Sequence, residues 1–247
     1  MNGIIFVEIS LYGGMVLKKY KTLLFDLDDT LLDFGATENA ALHKLFAEQQ
    51  IELTPEIKAY YKKLNDRLWQ EFELGKMERE EVVNSRFTLL FEHYGLHVDG
   101  AALEGRYRTF LSEGHHLIEG AVELMQDIYE QFDLYVVTNG ESKTQYKRLK
   151  DSGLERYFKD VFISEEVGHQ KPTKEFFDYV FSKIEPFDRE NTLIVGDSLT
   201  ADVTGGYNAG IDTCWINIRG KQNNSKVIPT YEIKKLDELY KILNIEK

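Results

Sequence analysis

The chain has one cysteine, Cys214, and only four prolines in 247 residues. A single cysteine excludes an internal disulfide framework and fits a reducing compartment, so the expected setting is cytoplasmic. The prolines are scattered, which excludes a proline-rich linker, and no internal repeat or low-complexity tract is present. Basic charge is also scarce: 30 Lys and Arg stand against 42 Asp and Glu, a formal net charge of −12. Such a field repels polynucleotide backbones, so no nucleic-acid polymer is expected as a partner. No uncharged apolar run is long enough for a membrane span. The opening segment MNGIIFVEISLYGGMVLKKYK is moderately apolar, but it contains Glu8, lacks a basic start and has no small-residue cleavage site. Residues 1–14 are expected to be a dispensable extension ahead of a natural-looking opening at Met15.

What is present is globular, 43% hydrophobic and 29% charged, with length enough for a substantial core. A short apolar run, Thr22 to Phe25, leads straight into the acidic stretch LLFDLDDTLLDF, which places Asp26, Asp28 and Asp29 within four positions. Like charges packed so closely repel one another and cost desolvation, and a purely structural strand avoids them. Something positive or electrophilic is expected opposite.

Helical periodicity follows. Ile57, Tyr61, Leu64, Leu68 and Phe72 fall on one helical face, and Val83, Phe87, Leu90, Phe91 and Tyr94 on another. Thr54 and Pro55 make a helix start, and Gly75 in ELGKMER interrupts the pattern. From Ile118 onward helix and strand alternate: DLYVVTNG, DVFISEE, NTLIVGD and IDTCWINI read as strands. AVELMQDIYEQF, ESKTQYKRLKDSGL, KPTKEFFDYVFSKI (with Pro172 at its start) and TADVTGGYNAG read as helices. Val- and Ile-rich strands between helices imply a parallel sheet covered on both faces. The expected architecture is α/β: a doubly wound, Rossmann-like core over residues 15–34 and 116–247, with an inserted α-helical cap over 35–115.

In open parallel sheets, ligands bind beyond the carboxyl ends of the strands. Asp26 and Asp28 follow the first strand, Thr138 and Asn139 the second, and Asp197 the one reading LIVG; Lys171 lies a short loop beyond another. Converging carboxylates suit a hard divalent cation, and Mg2+ takes oxygen ligands. Asp26 and Asp197 offer side-chain oxygens and Asp28 its backbone carbonyl. A carboxylate so neutralised can attack phosphorus and form an aspartyl-phosphate. Asp28, two residues on, is placed to act as acid to the leaving oxygen and then as base for water. Thr138 and Asn139 offer donors to phosphoryl oxygens, and Lys171 a compensating charge.

Each residue alone has an ordinary reading. Asp28 or Asp29 could be an exposed turn carboxylate, Thr138-Asn139-Gly140 a helix cap, Lys171 a solvated lysine and Asp202 an acidic residue in a first helical turn. Cys214 reads as core. His115 and His116 are adjacent, share no face, and read as hinge or surface rather than a metal pair. It is the coincidence of the others on one sheet edge that argues for chemistry.

With these residues in view, the chain resembles the haloacid dehalogenase superfamily of phosphohydrolases. The signatures are DLDDT (Asp26, Asp28, Thr30), VVTNG, Lys171 in QKP, and GDSLTAD with Asp197 and Asp202. The resemblance implies Asp26 as nucleophile, Asp28 as acid and base, Thr138 and Lys171 as phosphate holders, Asp197 as Mg2+ ligand and Asp202 in support. It implies a type 1 cap that closes over the substrate, with Gly75, Lys76 and Arg79 as candidate substrate contacts. A narrower resemblance, carried by ISEEVGHQKPTKEFFDYV and GDSLTADVTGGYNAGIDTCWIN, is to the YjjG-type pyrimidine 5′-nucleotidases. That implies a small phosphorylated metabolite, a pyrimidine nucleoside monophosphate, as substrate. The alternatives are a sugar-phosphate phosphatase or phosphomutase, a 2-haloacid dehalogenase, which typically lacks the second aspartate, and a receiver-type phospho-acceptor domain, which carries its acceptor on a middle strand.

Overall fold

The structure, a computed structural model, describes residues 20–246; the expected extension over 1–14 lies outside the described residues. Six strands form one sheet: β1 (Thr22–Phe25), β2 (Asp133–Thr138), β3 (Asp160–Ile163), β4 (Thr192–Gly196), β5 (Asp212–Ile216) and β6 (Tyr231–Ile233). Their order is β3-β2-β1-β4-β5-β6, and every neighbouring pair is parallel. The first five match the strand runs read from the sequence. β6 does not, because three residues with only Ile233 buried carry too short a pattern to register.

Between β1 and β2 come four helices, α1 (Phe34–Glu48), α2 (Pro55–Glu73), α3 (Arg79–His93) and α4 (Gly100–Glu113). Their apolar faces close on a hydrophobic cluster of their own, containing Leu45, Tyr61, Leu68, Phe87 and Tyr107. Thr54 caps α2, accepting from the backbone N–H of Ile57 at 3.3 Å, with Pro55 in the first turn as expected. Gly75 adopts φ 68°, the left-handed stop that a glycine makes without strain. Tyr94 departs from the predicted face: α3 ends at His93, and the ring is 40% exposed, edge-on to Tyr60. The chain leaves and re-enters the sheet region along paired segments. Asp33 N donates to His116 O at 2.8 Å and Ile118 N to Leu31 O at 2.9 Å.

The remaining helices are α5 (Ala121–Ile128), α6 (Ser142–Asp151), α7 (Ser164–Val167), α8 (Lys174–Lys183), α9 (Gly205–Ala209) and α10 (Leu239–Ile242). Alternate strand residues face opposite layers. Leu23, Phe25, Val136 and Val195 pack with Leu124 and Ile128 of α5 and Leu149 of α6. Leu24, Val137 and Ile194 pack with Phe176, Phe177 and Val180 of α8. Both faces are covered, which is why the strands read as continuous apolar runs.

Two predicted helices begin differently. α8 starts at Lys174 behind Thr173, whose hydroxyl donates to Gln170 O at 2.6 Å, so Pro172 lies in the loop rather than in the first turn. TADVTGGYNAG opens as a wide π-helical turn, Leu199–Thr204, before α9. The cause is close approach: a Cβ on Gly196 would lie 2.1 Å from Asp202 Oδ2, so the turn carries Asp202 against the end of β4.

Candidate active site

Register builds the site. Phe25 lies opposite both Val136 of β2 and Val195 of β4, so Asp26 emerges at the carboxyl edge between those strands. Its backbone N–H still donates to Val195 O at 2.9 Å, which fixes the residue as a continuation of β1. Thr138 and Asp197 emerge beside it from the flanking strands.

Lys171 reaches this edge from the loop before α8. Its Nζ donates to Asp26 Oδ1 at 2.7 Å, to Asp202 Oδ1 at 2.6 Å and to the Val137 carbonyl at 2.8 Å. The side chain is 1% exposed, so it is no solvated surface lysine. Burial alone would depress its pKa, but Asp202 and Asp26 together push it above the ordinary lysine range. Asn139 secures the loop: its Nδ2 donates to Lys171 O and its Oδ1 accepts from Lys171 N, both at 2.9 Å. The Asn139 amide therefore holds the lysine backbone.

Carboxylate oxygens of Asp26, Asp197 and Asp202 lie within 4.8 Å of one another. Burial pushes the Asp26 carboxyl above its usual range, with Lys171 opposing and Asp202 and Asp28 adding to the effect. Asp197 is pushed up to about 6, again chiefly by burial, although Lys221 Nζ donates to its Oδ2 at 3.0 Å. Two ammoniums, of which only Lys171 is buried, do not balance three carboxylates. The all-oxygen donor set and the excess negative charge fit a hard divalent cation such as Mg2+. Asp202, assigned above only a supporting part, sits inside this cluster.

Asp28 stands beside the cluster on a different set of partners. Its Oδ2 accepts from Gln145 Nε2 at 2.8 Å and its Oδ1 from Arg148 Nη1 at 2.5 Å, both on α6. Gln145 Nε2 also donates to Thr138 Oγ1 at 2.9 Å. Neither α6 residue is legible as functional in the sequence, where they form part of an ordinary amphipathic helix. Asp29, which had no part in the predicted chemistry, pairs with Arg219 at 3.0 Å.

A cavity of about 250 Å3 lies over this edge, with Asp26, Asp28, Thr138, Lys171 and Asp197 among its floor residues. Phe34, Trp69, Glu73 and Arg79, from the inserted helices, are among its other walls. Of the three loop candidates only Arg79 reaches the cavity; Gly75 and Lys76 are exposed and off its wall. Trp69 lines it, whereas Phe72 is buried among the helices with Trp69 packed edge-on. Glu73 was not anticipated. It comes from the last turn of α2, and burial pushes its carboxyl up to about 7, with Asp202 and Asp197 adding and Lys171 opposing. His116 lies in the return segment with Nδ1 3.2 Å from Thr37 Oγ1, and His115, likewise exposed, has Nδ1 3.0 Å from Glu113 O. Cys214 is buried in the core, and burial raises its thiol. No helix of the described residues is long and apolar enough to cross a membrane.

Comparison with known proteins identifies the family. The family model of the haloacid dehalogenase-like hydrolases matches residues 23–216. YfnB of Bacillus subtilis (strain 168) is 60% identical over 230 residues, 93% of this chain and 98% of that protein. A crystal structure of YfnB bound to magnesium, in a form that reveals interdomain movement, superposes with a TM-score of 0.90 and covers 92% of this chain and 100% of its own. The pyrimidine 5′-nucleotidase PynA of Streptococcus pneumoniae is 44% identical over 226 residues, 91% of this chain and 95% of that one. The pyrimidine 5′-nucleotidase YjjG of Escherichia coli (strain K12) is 32% identical over 225 residues, 91% and 98% of the two chains.

Proposed function

The chain belongs to the haloacid dehalogenase-like hydrolases, and on that premise we propose that it is a Mg2+-dependent phosphomonoesterase acting through an aspartyl-phosphate on pyrimidine nucleoside 5′-monophosphates. One observation carries the reading: the oxygens of Asp26, Asp197 and Asp202 gathered within 4.8 Å, with Lys171 bonded to two of them. The resemblance of PynA and YjjG, both pyrimidine 5′-nucleotidases, supports the substrate class, and magnesium bound to YfnB supports the metal.

Asp26 is the nucleophile. A carboxylate oxygen attacks phosphorus, the bond from phosphorus to the ester oxygen breaks, and Asp28 gives that leaving oxygen a proton. Asp28, now a base, takes a proton from water, which attacks phosphorus and frees inorganic phosphate and Asp26. Lys171 and Thr138 hold the phosphoryl oxygens, and Asn139 keeps the lysine in place. Asp26, Asp197 and Asp202, with the Asp28 carbonyl, would hold a Mg2+ ion. When bound, Mg2+ supplies positive charge against the carboxylates and the phosphoryl group.

In this reading the described residues of the expected core, 15–34 and 116–247, form that core, and 35–115 a cap whose closure excludes water and whose wall, Trp69 and Arg79 included, meets the nucleoside. The lone buried cysteine accords with a cytoplasmic setting. The test is phosphate release from a panel of pyrimidine and purine nucleoside monophosphates and hexose phosphates, with and without Mg2+. Turnover of uridine or thymidine monophosphate that vanishes on chelation is expected. Preference for hexose phosphates would overturn the substrate class, and metal-independent turnover would overturn the mechanism.

A further inference from the structure

Both oxygens of Asp28 are occupied by residues one helical turn apart on α6. Arg148 Nη1 takes Oδ1 at 2.5 Å and Gln145 Nε2 takes Oδ2 at 2.8 Å. The two also bind each other, Arg148 Nη1 donating to Gln145 Oε1 at 2.9 Å. Arg148 is anchored from behind: its Nε donates to Gly114 O at 2.9 Å, where the chain returns from the inserted helices. The side chain is 1% exposed. Burying a guanidinium forfeits its hydration, and an apolar residue of like volume would fill the space without that cost. The bonds that Arg148 makes, rather than its bulk, account for its place.

We propose that Arg148, assisted by Gln145, is a positioning residue that fixes the Asp28 carboxylate for proton transfer to the leaving oxygen. The inference rests on the role given to Asp28 above. A general acid must lie within hydrogen-bond reach of the atom it protonates, and a displacement of about 1 Å costs on the order of a hundredfold. The arginine fork supplies that fixity because one planar group spans Asp28 and the Gly114 carbonyl at once. Gln145 adds alignment: its amide nitrogen carries two hydrogens, one for Asp28 and one for Thr138 Oγ1 at 2.9 Å, so the acid is set relative to the phosphate side of the site.

Leaving-group dependence tests this. Nitrophenolate departs as a stable anion without a proton, whereas a ribose 5′-oxygen needs one. kcat/KM reports the steps up to the first phosphoryl transfer. Arg148→Met is expected to lower kcat/KM for uridine 5′-monophosphate by about tenfold to a hundredfold, and that for p-nitrophenyl phosphate by less than about threefold. Arg148→Lys should fall between wild type and Arg148→Met, since an ammonium reaches Asp28 but cannot span both partners. The double variant Asp28→Asn, Arg148→Met should be no slower than Asp28→Asn alone. Gln145→Leu should give the same split on a smaller scale, and it carries the test if Arg148→Met fails to fold. Arg148 Nη2 is buried without an acceptor among the described residues; were its work to bind substrate, both esters would suffer alike. Equal losses on the two substrates, or losses that multiply in the double variant, overturn the proposal. If Asp28→Asn shows the split but the α6 variants do not, this proposal alone falls. If Asp28→Asn shows none, the acid role falls and the proposal with it.

Discussion

Glu73 of the inserted helices meets Ser198 of the core, the serine Oγ standing 3.3 Å from each carboxylate oxygen. Ser198 directly follows Asp197, and its Oγ also accepts from Ala201 N at 3.0 Å. The contact thus ties the end of α2 to the loop that presents Asp197 and Asp202.

The Glu73 carboxyl is held above the usual carboxylate range. Burial and the nearby Asp202 and Asp197 push its carboxyl to about 7. Below that pH it is neutral and closes onto Ser198 without adding charge; above it, a further negative charge faces two carboxylates and an arriving phosphate. In the metal-free protein, stability is therefore expected to fall as the pH rises from about 4.5 through 7, more steeply in wild type than in Glu73→Gln. Denaturant midpoints of both proteins measured in chelator across that range check this; parallel pH profiles would contradict it.

Asp26→Asn removes the proposed nucleophile while keeping its size. Turnover is expected to fall by at least about a thousandfold, with the circular dichroism spectrum unchanged. Acid-quenched enzyme should retain labelled phosphate in wild type and none in the variant. Activity surviving in a sample shown by intact mass to be free of deamidation would remove Asp26 from its role.

Lys171→Met leaves Asp26 and Asp202 facing each other without the ammonium bonded to both. Breaking a buried charge set by deleting one partner costs about 3–5 kcal/mol, read as a lower denaturant midpoint. Added Mg2+ should recover part of that loss, because a divalent cation on the same oxygens replaces the missing charge. An unchanged midpoint would mean that the carboxylates do not depend on the lysine.

Trp69 presents a partly buried ring to the cavity. Stacking of a base on an aromatic side chain is worth about 1–3 kcal/mol. Trp69→Ala should raise KM for uridine 5′-monophosphate at least about fivefold and leave KM for glycerol phosphate nearly unchanged. Equal effects on the two would place the base elsewhere.

Much of the fold was legible because strand and helix periodicity are local. Thr54 and Pro55 announced α2, and Gly75 its end. The apolar runs of β1, β2 and β4 identified strands buried on both faces, with Asp26, Thr138 and Asp197 at their carboxyl ends. Parallel pairing then brings those ends together whatever the detail of the helices. Where prediction slipped, at Pro172, Tyr94 and the π-helical turn, the deciding contact was made with a distant element or with backbone that no neighbouring residue encodes.

What the amino-acid order determined alone was the sheet edge that carries the candidate site, since position at a strand terminus fixes where a side chain emerges. Tertiary structure decided who attends that edge. Gln145 and Arg148 occupy helix positions that read as ordinary amphipathic surface until α6 is laid against Asp28 and the Gly114 carbonyl. Glu73 reads as one more acidic residue at a helix end until α2 brings it to Ser198. Asp28 lies 117 and 120 residues from Gln145 and Arg148, and Ser198 lies 125 from Glu73; a contact across that distance leaves no periodic or local trace, because it exists only once the layers have packed.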